Sequence, residues 1–139
     1  MTRRQPTEAQ WLDARFGWEL CQTLSRLDIG QAIAVKDRNI LAVEAMEGTN
    51  NMIERAGTLC RTGGWTLIKV SNVKQDMRVD VPSIGVTTIE KLRAGGGGCL
   101  VVEAGKTILL EKEKVLEAAD RNKIAIVGCL RPPEPGVPA

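Results

Sequence analysis

Three features of the sequence predict an α/β fold: a mixed β-sheet sandwiched by helices and led by a long N-terminal helix. Apolar residues recur at helical period over residues 11–27, short β-rich runs then alternate with helical segments, and tight turns between some runs read as hairpins, which mixes strand directions. With 139 residues, 43% of them hydrophobic and 26% charged, the chain has the size and composition of one domain, expected over residues 1–130. Residues 131–139 are Pro-rich and are expected to form a flexible tail.

The elements follow in order. Thr7 or a neighbour caps the first helix, on which Leu12, Phe16, Leu20, Leu24 and Leu27 make one apolar stripe. Trp11, Ala14, Trp18 and Cys21 widen that stripe beyond what one core contact needs, so the Trp11/Trp18 edge is expected to cover another domain or subunit. A helix that is simply more buried than average explains the same pattern equally well. Runs 31–35 and 40–46 flank Lys36-Asp37-Arg38-Asn39 as a hairpin, and a short helix starts near Thr49 with Gly57 as its C-terminal cap. Residues 65–70 read as a buried strand, and 71–85 have turn and extended character. Thr87-Thr-Ile-Glu90 reads as a capping box opening a helix that ends in Gly95-Gly-Gly-Gly98. A strand at 99–103, a turn at Ala104-Gly105-Lys106, a strand at 107–110, a helix at 111–121 and a strand at 124–127 complete the series. Leu41-Ala-Val-Glu-Ala45 and Leu100-Val-Val-Glu-Ala104 are alike, through either an internal repeat or convergent strand composition.

Composition excludes several functions. A net charge of +2 with interspersed signs and no Tyr argues against a nucleic-acid partner. No apolar run approaches the roughly 20 residues of a membrane span, and the start lacks a secretory signal, so a cytoplasmic location is expected, with at most peripheral membrane association. Cys21, Cys60, Cys99 and Cys129 are widely spaced and read as buried free thiols. The sequence has no histidine, so hydrolysis here must run on carboxylates, with a hard, oxygen-preferring metal as the natural helper.

Carboxylates and cations cluster in two segments. In Lys69-Val-Ser-Asn-Val-Lys74-Gln75-Asp76-Met-Arg78-Val-Asp80, an extended backbone would project Asp76, Arg78 and Asp80 to one side, beside one ligand. Such acids can hold Mg²⁺ or Mn²⁺ against a diphosphate, while Arg78 with Lys69 or Lys74 neutralises its oxygens. A solvated edge strand with an internal Asp-Arg-Asp pairing fits the spacing as well. In Glu44-Ala-Met-Glu47-Gly48-Thr49-Asn50, Glu44 interrupts an apolar strand, and the helix start at Gly48 and Thr49 offers N–H groups to a phosphate. Ordinary strand-end and cap chemistry accounts for it equally. Glu103-Ala-Gly105-Lys106 is a weaker third cluster.

Taken in order, Asp28-Ile-Gly-Gln31, Val43-Glu-Ala-Met-Glu-Gly-Thr-Asn50, Gln75-Asp-Met-Arg-Val-Asp-Val-Pro-Ser-Ile-Gly85 and Val102-Glu-Ala-Gly105 resemble the carboxy-terminal domain of the UDP-2,3-diacylglucosamine pyrophosphatases of the non-calcineurin type. The resemblance covers about residues 3–128. It implies magnesium-dependent (or Mn²⁺-dependent) hydrolysis of a lipid-linked UDP-sugar to UMP and 2,3-diacylglucosamine 1-phosphate in lipid A synthesis. It makes Asp76 the favoured catalytic residue and Asp80 the next, with Asp76, Asp80 and Glu44 as metal ligands. Lys69, Lys74, Gln75, Arg78, Glu47, Gly48, Thr49, Asn50 and Lys106 become substrate-binding candidates. It also implies an amino-terminal α/β domain as partner, with a homo-oligomer through the first helix as the other use of that surface. A non-catalytic nucleotide- or lipid-sugar-binding module, or an oligomerisation domain, would keep the fold without turnover.

Overall fold

A computed structural model describes residues 1–71 and 82–134. Lys74, Gln75, Asp76, Arg78 and Asp80 lie outside the described residues. The elements are α1 (Glu8–Arg26), β1 (Ala32–Lys36), β2 (Asn39–Val43), α2 (Thr49–Leu59), β3 (Trp65–Lys69), β4 (Ser83–Ile84), α3 (Val86–Gly95), β5 (Gly97–Glu103), β6 (Ile108–Leu109), α4 (Lys112–Arg121) and β7 (Ala125–Cys129). The expected α/β architecture with a mixed sheet and a long first helix is present. A five-stranded sheet in the order β2-β1-β3-β5-β7 is antiparallel across β2/β1 and β1/β3 and parallel across β3/β5 and β5/β7. α1 covers one face, packing on Ile33, Val35, Ile68 and Val101, while the helices α2, α3 and α4 cover the other over Ala34, Leu67, Leu100 and Ile126. No helix among the described residues is long and apolar enough to cross a membrane.

α1 begins with a full capping box: the Gln10 N–H donates to the Thr7 hydroxyl, and the Thr7 N–H donates back to the Gln10 side chain. Its buried face, however, differs from the expected one. Trp18 is 2% exposed and packs in the core with Trp11 against its rim, so the Trp11/Trp18 edge faces the sheet rather than another chain. Phe16, Leu20 and Leu27 are left 38%, 39% and 62% exposed. Small residues decide the orientation. Ala14, Gly17, Cys21 and Ser25 form the contact line, and a Cβ built on Gly17 would stand 2.5 Å from Ile68 Cδ1, so only this face lets the helix approach the sheet closely. The same face buries Asp13 at the start of the helix.

Asp13 is spent on the β1–β2 hairpin. Asp37 and Arg38 form its two-residue loop, both at positive φ (51° and 58°), the conformation that matches strand twist but suits neither residue. The Asp13 carboxylate compensates by accepting the Asp37 N–H at 3.2 Å and the Arg38 N–H at 2.7 Å. A long-range carboxylate thus does what Asn-Gly would do locally.

Three other expectations are corrected. α2 runs through Gly57 to Leu59, because Gly57 is a packing residue: its Cβ position lies 2.6 Å from the Gly95 Cα of α3. α3 starts at Val86 with Gly85 as N-cap and no side-chain cap bond, which places Thr87 and Thr88 inside the first turn instead of in a capping box. β6 does not fold back on β5, since both edges of β5 are occupied by β3 and β7; it pairs in parallel with β4 in a separate two-stranded sheet. The Leu41–Ala45 and Leu100–Ala104 segments therefore occupy unlike places, one in an antiparallel edge strand and one in an interior parallel strand. The Pro-rich tail starts against α1: Arg131 pairs with Glu19 at 3.0 Å, Arg15 with Glu134 at 2.9 Å, and Pro132 is buried.

Two outcomes follow from this packing. Asp13→Ala strips two turn N–H groups of a charged acceptor, and urea unfolding should show a loss of about 1–3 kcal/mol. Burial pushes the thiols of Cys21 and Cys99 up to about 12, and burial followed by the Glu103 charge pushes Cys129 up to about 11, from the usual 9.0. Their neutral forms are favoured by folding, so this stability is complete below pH 9.0 and is lost as pH rises towards 11–12. Iodoacetamide at pH near 8 should therefore spare Cys21 and Cys99 in the native chain and alkylate them in urea.

Candidate functional site

The polar chemistry of this domain collects where the strands end. β2 and β3 both run opposite to β1, and β3, β5 and β7 run together, so these four strands finish on one edge of the sheet. That carboxyl edge is where open α/β sheets hold ligands. Here it carries Glu44 just after β2, Lys69 ending β3 and Glu103 ending β5, each 8% exposed. Three ionisable side chains this deep each need compensation.

A cleft of about 450 Å³ opens at this edge, between the first turns of α2 and α3. Gly48, Thr49 and Asn50 line it from α2, Thr87 and Thr88 from α3, and Lys69 and Ser83 from the strand ends. Neither helix has a side-chain cap bond and neither carries an acid in its first turn. Two positive helix ends therefore face the same space as a lysine, the electrostatics of an anion seat. The Thr88 hydroxyl bonds the Asn50 side-chain oxygen at 3.2 Å and ties the two helix starts together.

Glu44 stands behind this cleft. Its Oε1 accepts the Gln31 N–H at 3.2 Å, and its Oε2 accepts the Thr49 hydroxyl. Lys69 Nζ in turn donates to Thr49 Oγ1 at 3.1 Å and to the Ser83 carbonyl at 3.5 Å. Gly30 makes room for this corner, because a Cβ there would lie 1.8 Å from the Glu44 carbonyl oxygen. Glu103 does a parallel job one strand further on. Its Oε2 accepts both the Ser71 N–H and the Ser71 hydroxyl at 3.0 Å, the Ser71 carbonyl accepts from Ser25 at 2.9 Å, and Lys106 pairs with its Oε1 at 3.2 Å.

Of the candidates read from the sequence, Glu47, Gly48, Thr49, Asn50 and Lys69 come together around the cleft, with Glu44 touching it through Thr49. Glu47 is committed to Arg55, which also donates to the Val43 carbonyl at 2.9 Å, so it braces the β2–α2 loop. Lys106 is tied to Glu103 and does not line the cleft. Lys74, Gln75, Asp76, Arg78 and Asp80 fall outside the described residues, although Ser71 and Ser83 near their borders both sit at this edge. Ser71, Ser83, Thr87 and Thr88 were not anticipated. Thr87-Thr88 was visible as a hydroxyl pair, but only the helix starting two residues earlier, with Gly85 as N-cap, aims it at the cleft.

The described residues do not by themselves fit Mg²⁺. No three acidic, Cys or His groups converge among them, and Glu44 spends both oxygens on proton donors one hydroxyl away from an ammonium. Asp76 and Asp80 are the remaining candidates for a metal.

A mixed sheet between two helical layers, with a polar cleft at its carboxyl edge, defines a three-layered α/β domain whose cleft lies where such folds hold ligands. The chain belongs to the LpxI C-terminal domain family, whose sequence model matches residues 1–127. It is 34% identical over 132 residues to the UDP-2,3-diacylglucosamine pyrophosphatase LpxI of Caulobacter vibrioides, an overlap of 88% of this chain and 46% of that protein. The bifunctional purine biosynthesis protein PurH of Chlorobium chlorochromatii is 29% identical over 133 residues, 91% of this chain and 22% of that protein. The chain thus spans less than half the length of either relative.

Gly30→Ala tests the corner that holds Glu44. The added methyl meets backbone, which cannot swing aside, and thermal or urea unfolding should report a loss of roughly 1–3 kcal/mol.

Proposed function

We propose that this domain is the carboxy-terminal part of a cytoplasmic UDP-2,3-diacylglucosamine diphosphate hydrolase that releases UMP and 2,3-diacylglucosamine 1-phosphate in lipid A synthesis. The observation that carries this reading is the cleft in which two uncapped helix starts and Lys69 meet, in a chain of this family. A diphosphate brings negative charge to the two helix starts and to Lys69. In the reaction a water oxygen bonds to one phosphorus and the bridging oxygen departs with the other phosphate, giving two monoesters.

The roles divide by chemistry. Lys69 and the first-turn N–H groups of α2 and α3 hold phosphate oxygens, with Thr49 and Asn50 shaping the seat. Asp76 orients the attacking water and takes its proton, Asp80 supports it, and Arg78 with Lys74 and Gln75 meets charge on the diphosphate. Mg²⁺ or Mn²⁺ held by Asp76 and Asp80 would supply further charge neutralisation. The acyl chains and the uridine need more surface than this cleft offers, which an amino-terminal α/β domain would provide. The same domain, or a second copy of this chain, covers the Phe16/Leu20 side of α1, and contact with the membrane is at most peripheral.

Asp76→Ala in the two-domain form should cut UMP release by about a hundredfold or more while the lipid nucleotide still binds, as a steady-state assay with a binding titration would show. Chelation by EDTA should stop release, and added Mg²⁺ or Mn²⁺ should restore it. Full turnover by Asp76→Ala would favour a binding or oligomerisation module instead.

A further inference from the structure

The buried carboxylate behind the cleft has a job that its place in a strand does not disclose. We propose that Glu44 is a positioning residue: through the Thr49 hydroxyl it sets the Lys69 ammonium at the phosphate seat, in place of the metal-ligand role that its sequence context suggested. The inference rests on the phosphate reading of the cleft and adds to it the origin of the lysine's placement.

The bonds give a direction to the chain of contacts. A hydroxyl has one proton, and Thr49 gives it to Glu44 Oε2, so the face of Thr49 Oγ1 turned to Lys69 is lone pair only. Lys69 Nζ donates into that lone pair at 3.1 Å and into the Ser83 carbonyl at 3.5 Å, which fixes two directions of an ammonium carried on a flexible stem. The carboxylate itself is held by the Gln31 N–H at 3.2 Å, and Gly30 lets the backbone close on Glu44. Without the carboxylate, the Thr49 hydroxyl could turn its proton towards Lys69 and repel the ammonium.

A buried acid also offsets the charge of a buried base. Glu44 and Lys69 are both 8% exposed and share one bridging hydroxyl, so the carboxylate lies close enough to offset part of the cost of burying the ammonium. The Thr49 bridge thus links the buried carboxylate to a lysine that lines the cleft.

The test has two arms on the full chain. In the ligand-free protein, the ¹⁵N signal of the Lys69 ammonium should shift in Glu44→Gln and in Thr49→Val, and stay near wild type in Thr49→Ser, which keeps the hydroxyl. In a titration with inorganic pyrophosphate in EDTA, Glu44→Gln and Thr49→Val should each weaken binding about tenfold, and the double variant should be no worse than either single, since one chain of bonds is broken in all three. An unchanged Lys69 signal in both variants overturns the proposal, as does Glu44→Gln weakening pyrophosphate only when Mg²⁺ is present, which would make Glu44 a metal ligand. If wild type ignores pyrophosphate in every buffer, the phosphate reading of the cleft fails, while the ligand-free lysine signal still decides whether Glu44 positions Lys69.

Discussion

Burial of β3 on both faces is the constraint from which the rest of this domain follows. Every residue from Trp65 to Lys69 is buried, with α1 against one side and α2 and α3 against the other, and with β1 and β5 bonded along its two edges. A strand with no solvent side has no way to let its last residue out. Lys69 is therefore buried by position, and the Thr49 hydroxyl oxygen and the Ser83 carbonyl accept from its Nζ, while the positive helix starts beside it make the same corner short of negative charge. β3 is also where the sheet changes direction, antiparallel to β1 and parallel to β5, which brings the ends of β2, β3, β5 and β7 to one edge.

The two carboxylates flanking Lys69 solve the same local problem. A strand that ends at a ligand edge leaves backbone N–H groups with no further ladder partner, and Glu44 and Glu103 each take one, from Gln31 and Ser71. Those bonds compensate part of the cost of placing each acid inside an apolar run. The same local problem also explains the likeness of the two Leu-x-Val-Glu-Ala segments, whose strands differ in every neighbour but end in the same place.

α1 shows how size can outweigh hydrophobicity in choosing a buried face. The helix has more apolar surface than one contact needs, and the side that wins is lined by Ala14, Gly17, Cys21 and Ser25 rather than by the leucines and Phe16. Close approach brings backbone and sheet together and adds many weak contacts, and it lets Asp13 reach the hairpin turn. Phe16, Leu20 and Leu27 are left on the outer side of the helix.

The sequence alone determined the order and type of nearly all elements, because hydrophobic period, turn residues and the Thr7 cap are local signals that survive in any packing. It also singled out Glu44, Gly48, Thr49, Asn50 and Lys69, since charges and glycines inside apolar runs are conspicuous wherever they later point. Three things needed the tertiary structure: which side of α1 is buried, that β6 pairs with β4, and that Glu44 meets Lys69 through a hydroxyl. Each depends on partners distant in sequence, on edges already taken by other strands or on clearances of a few ångströms. Distances of that kind exist only once the layers are assembled.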